Sequence, residues 1–191
     1  MEQNNYITKE VYDQIKDFRF YYLSKEQKEI VDKLVLNEEL KERYKKYSLC
    51  GECYQPCTKR RWCSPCISKR LQGNFKNWTS GNKDIDEFIQ NLQIRAEHYP
   101  KILEWIEYDR FYDIEFLAAG GFGTVSKAKW KDGYIIKWDV KNDDWYRIKD
   151  ESEEDHHKSE DHKMVVLKTL YNSQNINNEY IQEVSKIIFD C

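Results

Sequence analysis

The chain has 191 residues, of which 40% are apolar and 15% aromatic, with only three prolines. That composition can bury a core over at least part of one or two small domains and excludes wholesale disorder. Thirty-one basic and 34 acidic residues leave a net charge of −3, so overall electrostatics favour neither a nucleic-acid binder nor a membrane-surface binder, and local clusters must decide.

The N-terminal run MEQNNYITKEVYDQ has no apolar stretch of signal-peptide length, and no run approaches the roughly 18 apolar residues that span a bilayer. The expectation is a cytoplasmic protein, or a nuclear one, in which six cysteines act as thiols or metal ligands rather than disulfides. Residues 11–22, VYDQIKDFRFYY, read equally well as helix or strand. Ser24 with Gln27 three places on forms a capping box, and Ile30, Val31, Leu34 and Val35 recur at helical spacing. This predicts a helix over about 25–47, with Asn37 as a candidate break, supported by Glu29 with Lys33, Glu39 with Arg43 and Glu42 with Lys46. Residues 50–66 are dense in cysteine and follow neither the helical nor the strand period. From Asp84, the apolar Ile85, Phe88, Ile89, Leu92 and Ala96 predict a second amphipathic helix, which Pro100 ends or kinks.

A short apolar piece, ILEWI, follows at 102–106. Two strand-like runs then flank the glycines of FLAAGGFGTVSKAKW, at 116–130. A second pair, GYIIKW and DWYRI, is joined by KNDD as a turn. Residues 150–163 carry seven acids and no apolar side chain, which predicts a solvated insertion; His156, His157 and His162 within it read as solvated rather than as ligands. MVVLKTL resumes as a strand, and a helix is expected over about 177–189. The expected class is α+β. It comprises a helical N-terminal region (1–48), a four-cysteine segment (49–70), a helical linker (71–108) and a strand-rich unit (109–191).

Cys50 and Cys53 are spaced CxxC, and Cys63 and Cys66 repeat the spacing after nine intervening residues. Two such knuckles offer four thiolates for a tetrahedral site, the arrangement Zn²⁺ prefers when its role is structural. A loop this polar has few apolar groups to bury, so metal binding and folding become one event. Cys57 and Cys191 take no role in this scheme. Lys59, Arg60, Arg61 and Trp62 lie inside the loop, with Lys69 and Arg70 just after it. They read as a solvated face that offsets the thiolate charge; contact with nucleic acid, with Trp62 stacking a base, is the weaker reading.

The glycine run poses the second question. A dinucleotide fingerprint needs strand, glycines, then helix, whereas here a strand-like run follows Gly123. Strand, glycine hairpin and strand is the arrangement in which kinase backbone N–H groups cover ATP phosphates. Downstream, VVLK at 165–168 places Lys168 on the next strand, and Glu183 lies on the following helix, with Glu179 one turn earlier.

In this order of elements the chain resembles the start of a protein kinase domain of the tyrosine-kinase-like type. With NFKNWTSGNKDIDEFIQ and LEWIEYDRF ahead of the glycines, residues 48–191 are similar to a lineage-expanded fungal family of kinase-like proteins, which join a CxxC pair, a helical linker and a kinase domain. The resemblance implies a partial kinase N-lobe with antiparallel strands and one helix. ATP would be bound by Leu117, Ala118, Gly120, Gly121, Phe122, Gly123, Val125, Val166 and Lys168. Lys168 would hold the α and β phosphates, Glu183 would orient Lys168, Leu117 and Val125 would pack on adenine, and Phe122 would tip the loop. Two positions depart from the pattern: Ala118 replaces the first glycine, and Val166 replaces the alanine of the lysine strand. The acidic stretch corresponds to an extra segment of that family.

No H-R-D-type loop or D-F-G triplet follows Glu183, and the chain stops eight residues later at Cys191. The expectation is a protein kinase-like chain truncated after its N-lobe, ATP-binding and inactive alone, with a sheet edge and an apolar face left bare. The alternative is a non-catalytic, zinc-dependent interaction module that docks a protein partner through the helices at 25–47 and 84–97 or through the exposed lobe face. A fragment of a longer reading frame is the third reading.

Overall fold

In the computed structural model, which describes residues 5–121, 123–148 and 163–171, three short capped helices build the first core. They are α1 (Lys9–Ile15), α2 (Lys25–Leu34) and α3 (Glu38–Lys46). Thr8 accepts a hydrogen bond from the Val11 N–H, which starts a helix in the stretch that read equally well as a strand. Ser24 and Gln27 form the reciprocal capping box. The single helix expected over 25–47 is two helices, because the Asn37 side chain accepts from the Leu40 N–H and caps a new one. Ile7, Ile15, Leu23, Val31, Val35, Leu40 and Tyr44 close around one another. The Tyr44 hydroxyl donates to the Ile15 carbonyl at 2.9 Å, and burial pushes its phenol up to about 12, which keeps it a donor. Arg43 does not pair with Glu39 but donates to the Pro56 carbonyl at 2.8 Å, tying α3 to the cysteine loop, and Glu42 pairs with Lys45 rather than Lys46.

Two further helices follow, α4 (Ser64–Asn74) and α5 (Lys83–Arg95). The first was not visible as a period in the sequence; it begins at the second cysteine pair, with Cys63 at the cap position and Pro65 in the first turn, where proline is tolerated. In α5 the Asn82 side chain caps Asp84 and Ile85, and the helix ends at Arg95, ahead of Pro100. Ile89 and Ala96 are buried as the periodicity predicts, and Gln93 is buried with them, donating to the Leu103 carbonyl at 2.7 Å.

The strands are β1 (Phe111–Gly120), β2 (Gly123–Trp130), β3 (Tyr134–Asp139), β4 (Asp144–Ile148) and β5 (Lys163–Leu170). Among the described residues they form two antiparallel sheets, one in the order β1-β2-β5 and one of β3 with β4. The fold class is therefore α+β. The hairpin read from GYIIKW and DWYRI is present but stands outside the larger sheet. It lies against the cysteine module instead: Ile135, Trp138 and Trp145 share a core with Trp62, Ile67, Leu71 and Ala96. That core draws on both sides of residue 109. Ile102 joins it from the linker, and, two residues on, the partly buried Glu104 carboxylate accepts from Arg147 of β4 at 2.5 Å. Burial pushes the Glu104 carboxyl up, and the Arg147 guanidinium opposes that shift.

Phe122, Glu179, Glu183, Cys191, the three histidines, the helix expected over 177–189 and all but the last residue of the acidic tract lie outside the described residues.

Gly123 is fixed by space. A Cβ built there would sit 2.0 Å from the Thr169 carbonyl oxygen of β5, whereas nothing lies within 4 Å of one built on Gly120 or Gly121. Gly123→Ala is therefore expected to push β5 off β2 and destabilise the sheet by roughly 1–3 kcal/mol. Gly120→Ala should cost well under half of that. Urea melts of the two variants, with hydrogen exchange over 163–170, check the difference.

Candidate metal centre and glycine hairpin

The cysteine module is a turn, a loop and the start of a helix. Leu49 and Pro56 bridge across the first turn, where the Cys50 N–H donates to the Gln55 carbonyl at 2.8 Å and the Tyr54 N–H donates to the Cys50 carbonyl at 2.9 Å. Tyr54 takes a positive φ of 65° to close it. The Gln55 amide pairs with both backbone groups of Ile7 at 2.8 Å, so the first knuckle is stitched to the first core. A second turn runs from Thr58 to Trp62, with Arg61 at φ 59°. It delivers Cys63 and Cys66 to the first turn of α4, where the positive end of the helix dipole favours thiolates.

These elements bring the four Sγ atoms of Cys50, Cys53, Cys63 and Cys66 within 4.8 Å of one another. Cys50 and Cys66 are 3.8 Å apart, and Cys53 and Cys63 are 3.7 Å apart. A tetrahedron with Zn–S bonds of about 2.3 Å has edges of roughly 3.8 Å. A disulfide would need about 2 Å, and these cysteines are free thiols. Four sulfurs at this spacing can bind one metal ion such as zinc.

The electrostatics lead to the same place. Hydrogen bonds with Cys50 and Cys63 hold the Cys53 thiol low, while the Cys63 thiol is pushed up by its hydrogen bonds with Cys50 and Cys53 and the Cys66 thiol by burial. Without a cation the four cannot all ionise, because each charge opposes the next. A divalent ion reverses that logic and permits four thiolates.

Cys57 stays apart from this set. It is buried, accepts from the Ser48 hydroxyl, and burial pushes its thiol up to about 12. A cleft of about 530 Å³ opens beside the cluster, and Arg61, Lys137 and Lys141 line it. Of the basic residues in the loop, the exposed Arg61 shares that cleft with the cysteines, and just after the loop Arg70 is tied to Glu52. Trp62 cannot stack a base. It is fully buried, and its indole N–H donates to the Ala96 carbonyl at 3.2 Å.

The second set of residues lies on the β1-β2-β5 sheet. Gly120 pairs with Gly123, so β1 and β2 form a hairpin with Gly121 in its turn. Val125 pairs directly with Lys168, Ala118 with Val125, and Lys127 with Val166. Partners in an antiparallel ladder share a face, and so do residues two apart. Ala118, Gly120, Gly123, Val125, Val166 and Lys168 therefore occupy one face, with Lys168 two residues from the strand end that pairs with Gly123. Leu117 falls at the irregularity between Phe116 and Ala118. The face is open: Val166 is 68% exposed and Met164 49%. Among the described residues the Lys168 side chain has no ion-pair or hydrogen-bond partner.

The chain matches no protein-family model, no curated protein and no solved structure. Among the described residues no helix is long and apolar enough to cross a membrane.

Purified under reducing conditions, the full chain is expected to hold one zinc ion. Cys53→Ser or Cys63→Ser should lower this to about a tenth or less in a colorimetric metal assay, because three ligands bind a structural ion far less tightly than four. Cys57→Ser should keep the full stoichiometry.

Proposed function

We propose that the β1-β2-β5 sheet is the nucleotide-holding half of a protein kinase-like unit. ATP would lie with its adenine against Val125 and Val166 and its phosphates under the glycine hairpin, with Lys168 contacting the α and β phosphates. The observation that carries this reading is the pairing of Val125 with Lys168, which sets the ammonium-bearing strand position on the same sheet face as the hairpin glycines and close to its tip. The exposed Val166 and Met164 on that face support it, since an adenine ring needs an apolar contact. Glu183 is the residue proposed to orient Lys168.

Ala118 and Val166 place a methyl and an isopropyl group where the resemblance expects a glycine and an alanine. Both crowd the ligand, so modest affinity is part of the proposal. The 191 residues contain neither an H-R-D-type loop nor a D-F-G triplet. The activity assigned to them is accordingly nucleotide binding, and phosphoryl transfer by these residues alone is not proposed, because that chemistry depends on positioned metal ions and a base.

A second reading, a metal-dependent module that docks a protein partner through its helices, is favoured by the exposed Tyr21, Tyr22, Ile30 and Leu36 around α2. In this reading the four cysteines hold the platform and the glycine hairpin is only a turn.

A thermal melt separates the two. Saturating Mg-ATP should raise the melting temperature by a few degrees, as expected for a ligand at about 100 times its Kd, and Lys168→Met should remove the shift. If Mg-ATP leaves the melt unchanged while zinc removal lowers it, the docking-module reading replaces the nucleotide one.

A further inference from the structure

Three groups of residues meet at one side chain. Arg70 lies on α4, one turn beyond Cys66, and its Nε donates to the Glu52 carboxylate at 2.9 Å. Glu52 lies between Cys50 and Cys53, inside the first knuckle. The Arg70 guanidinium also stacks over the Trp138 ring of β3 at 3.7 Å from its centroid, and Nη1 is 3.7 Å from the Asp143 carboxylate in the β3–β4 turn. Trp138 in turn meets Trp145 of β4 edge to face at 5.0 Å. Beside this contact the backbone of Gly51 runs against Val140, so close that a Cβ at Gly51 would touch it at 3.5 Å.

We propose that Arg70 is a latch through which a metal ion on the four cysteines sets the docking of the β3–β4 hairpin. The argument runs through geometry. Glu52 can meet Arg70 only while the first knuckle faces α4, and the four sulfurs are what hold knuckle and helix face to face. With a cation bound, the Nε–H bond to Glu52 orients the Arg70 guanidinium, which presents its flat surface to Trp138. Without it, the thiols separate, Glu52 leaves, and the guanidinium loses the partner that orients it. Ile135 and Trp145 still reach Ile67 and Leu71, but these two lie on the same helix and lose their fixed relation to the knuckle as well.

The inference rests on the cysteines holding a metal and is independent of whether a nucleotide binds.

The test is hydrogen exchange on the full chain in reducing buffer, loaded with Zn²⁺ or stripped with EDTA, with zinc stoichiometry measured on each sample. Stripping should raise exchange over 134–148 by about tenfold or more, while the core at 7–47 changes by less than about twofold. Arg70→Ala, with one zinc ion still bound, should reproduce the hairpin effect in the loaded protein. Arg70→Lys should not rescue it, since an ammonium cannot both donate to Glu52 and lie flat on Trp138. Should Arg70→Ala fail to fold, Glu52→Gln removes the ion pair and leaves every cysteine, and it should raise hairpin exchange by about threefold or more. The proposal is overturned if the hairpin is equally protected with and without zinc, if 134–148 and 7–47 open together, if folded Arg70→Ala or Glu52→Gln protein matches wild type, or if the chain takes up no zinc.

Discussion

Four cysteine sulfurs gathered at a spacing that suits one cation are the constraint on which the middle of this molecule depends. The loop from 48 to 63 has little to bury besides Pro56, Trp62 and the cysteines themselves. Its turns are closed by backbone hydrogen bonds and by two residues at positive φ, none of which would hold such a loop against solvent alone. With the sulfurs 3.7 and 3.8 Å apart in pairs, the loop is organised around a point that suits a metal ion. Structural zinc sites in small peptides contribute on the order of 10 kcal/mol to folding at neutral pH, comparable to the whole stability of a domain of this size.

From that centre the rest of the packing can be followed outward. Toward the N-terminus, Gln55 and Arg43 tie the first knuckle to the three-helix core through backbone groups of Ile7 and Pro56. Toward the C-terminus, α4 carries Ile67 and Leu71 away from Cys66 and into the core shared with the β3–β4 hairpin. Trp62 is the hinge of this arrangement. It sits immediately before Cys63, is sealed from solvent, and reaches the end of α5 through the Ala96 carbonyl. The four-cysteine cluster and the second core are thus one structure, while the β1-β2-β5 sheet is organised by its own ladder.

Much of this was legible because it is local. The capping box at Ser24, the amphipathic period from Ile85 to Ala96 and the CxxC repeat each depend on residues a few positions apart, and each appears as read. The hairpin of β3 and β4 was legible from two aromatic runs about a short polar turn. What escaped depends on distant partners. Helix α4 has only Ile67 and Leu71 at helical spacing on its buried face besides Cys66, too few to show a period. Trp62 among basic residues looks like a surface group until Ala96, from another helix, receives its N–H. Arg70 reads as one cation among several, and only the approach of Trp138 gives it a specific place. The break at Asn37 was a local ambiguity, decided by the side chain capping Leu40.

The glycine hairpin stands differently. Its register with β5 is a long-range fact that places Lys168 and the hairpin glycines on one face, and Gly123 is required by the close passage of Thr169. The thiolate centre is the firmer foundation, since the chemistry follows from four atoms whose positions are given. X-ray absorption at the zinc edge of the purified full chain tests it most directly. Four sulfur neighbours at about 2.3 Å and no lighter ligand are predicted. A first shell containing nitrogen or oxygen, or a protein that carries no zinc, would contradict the account.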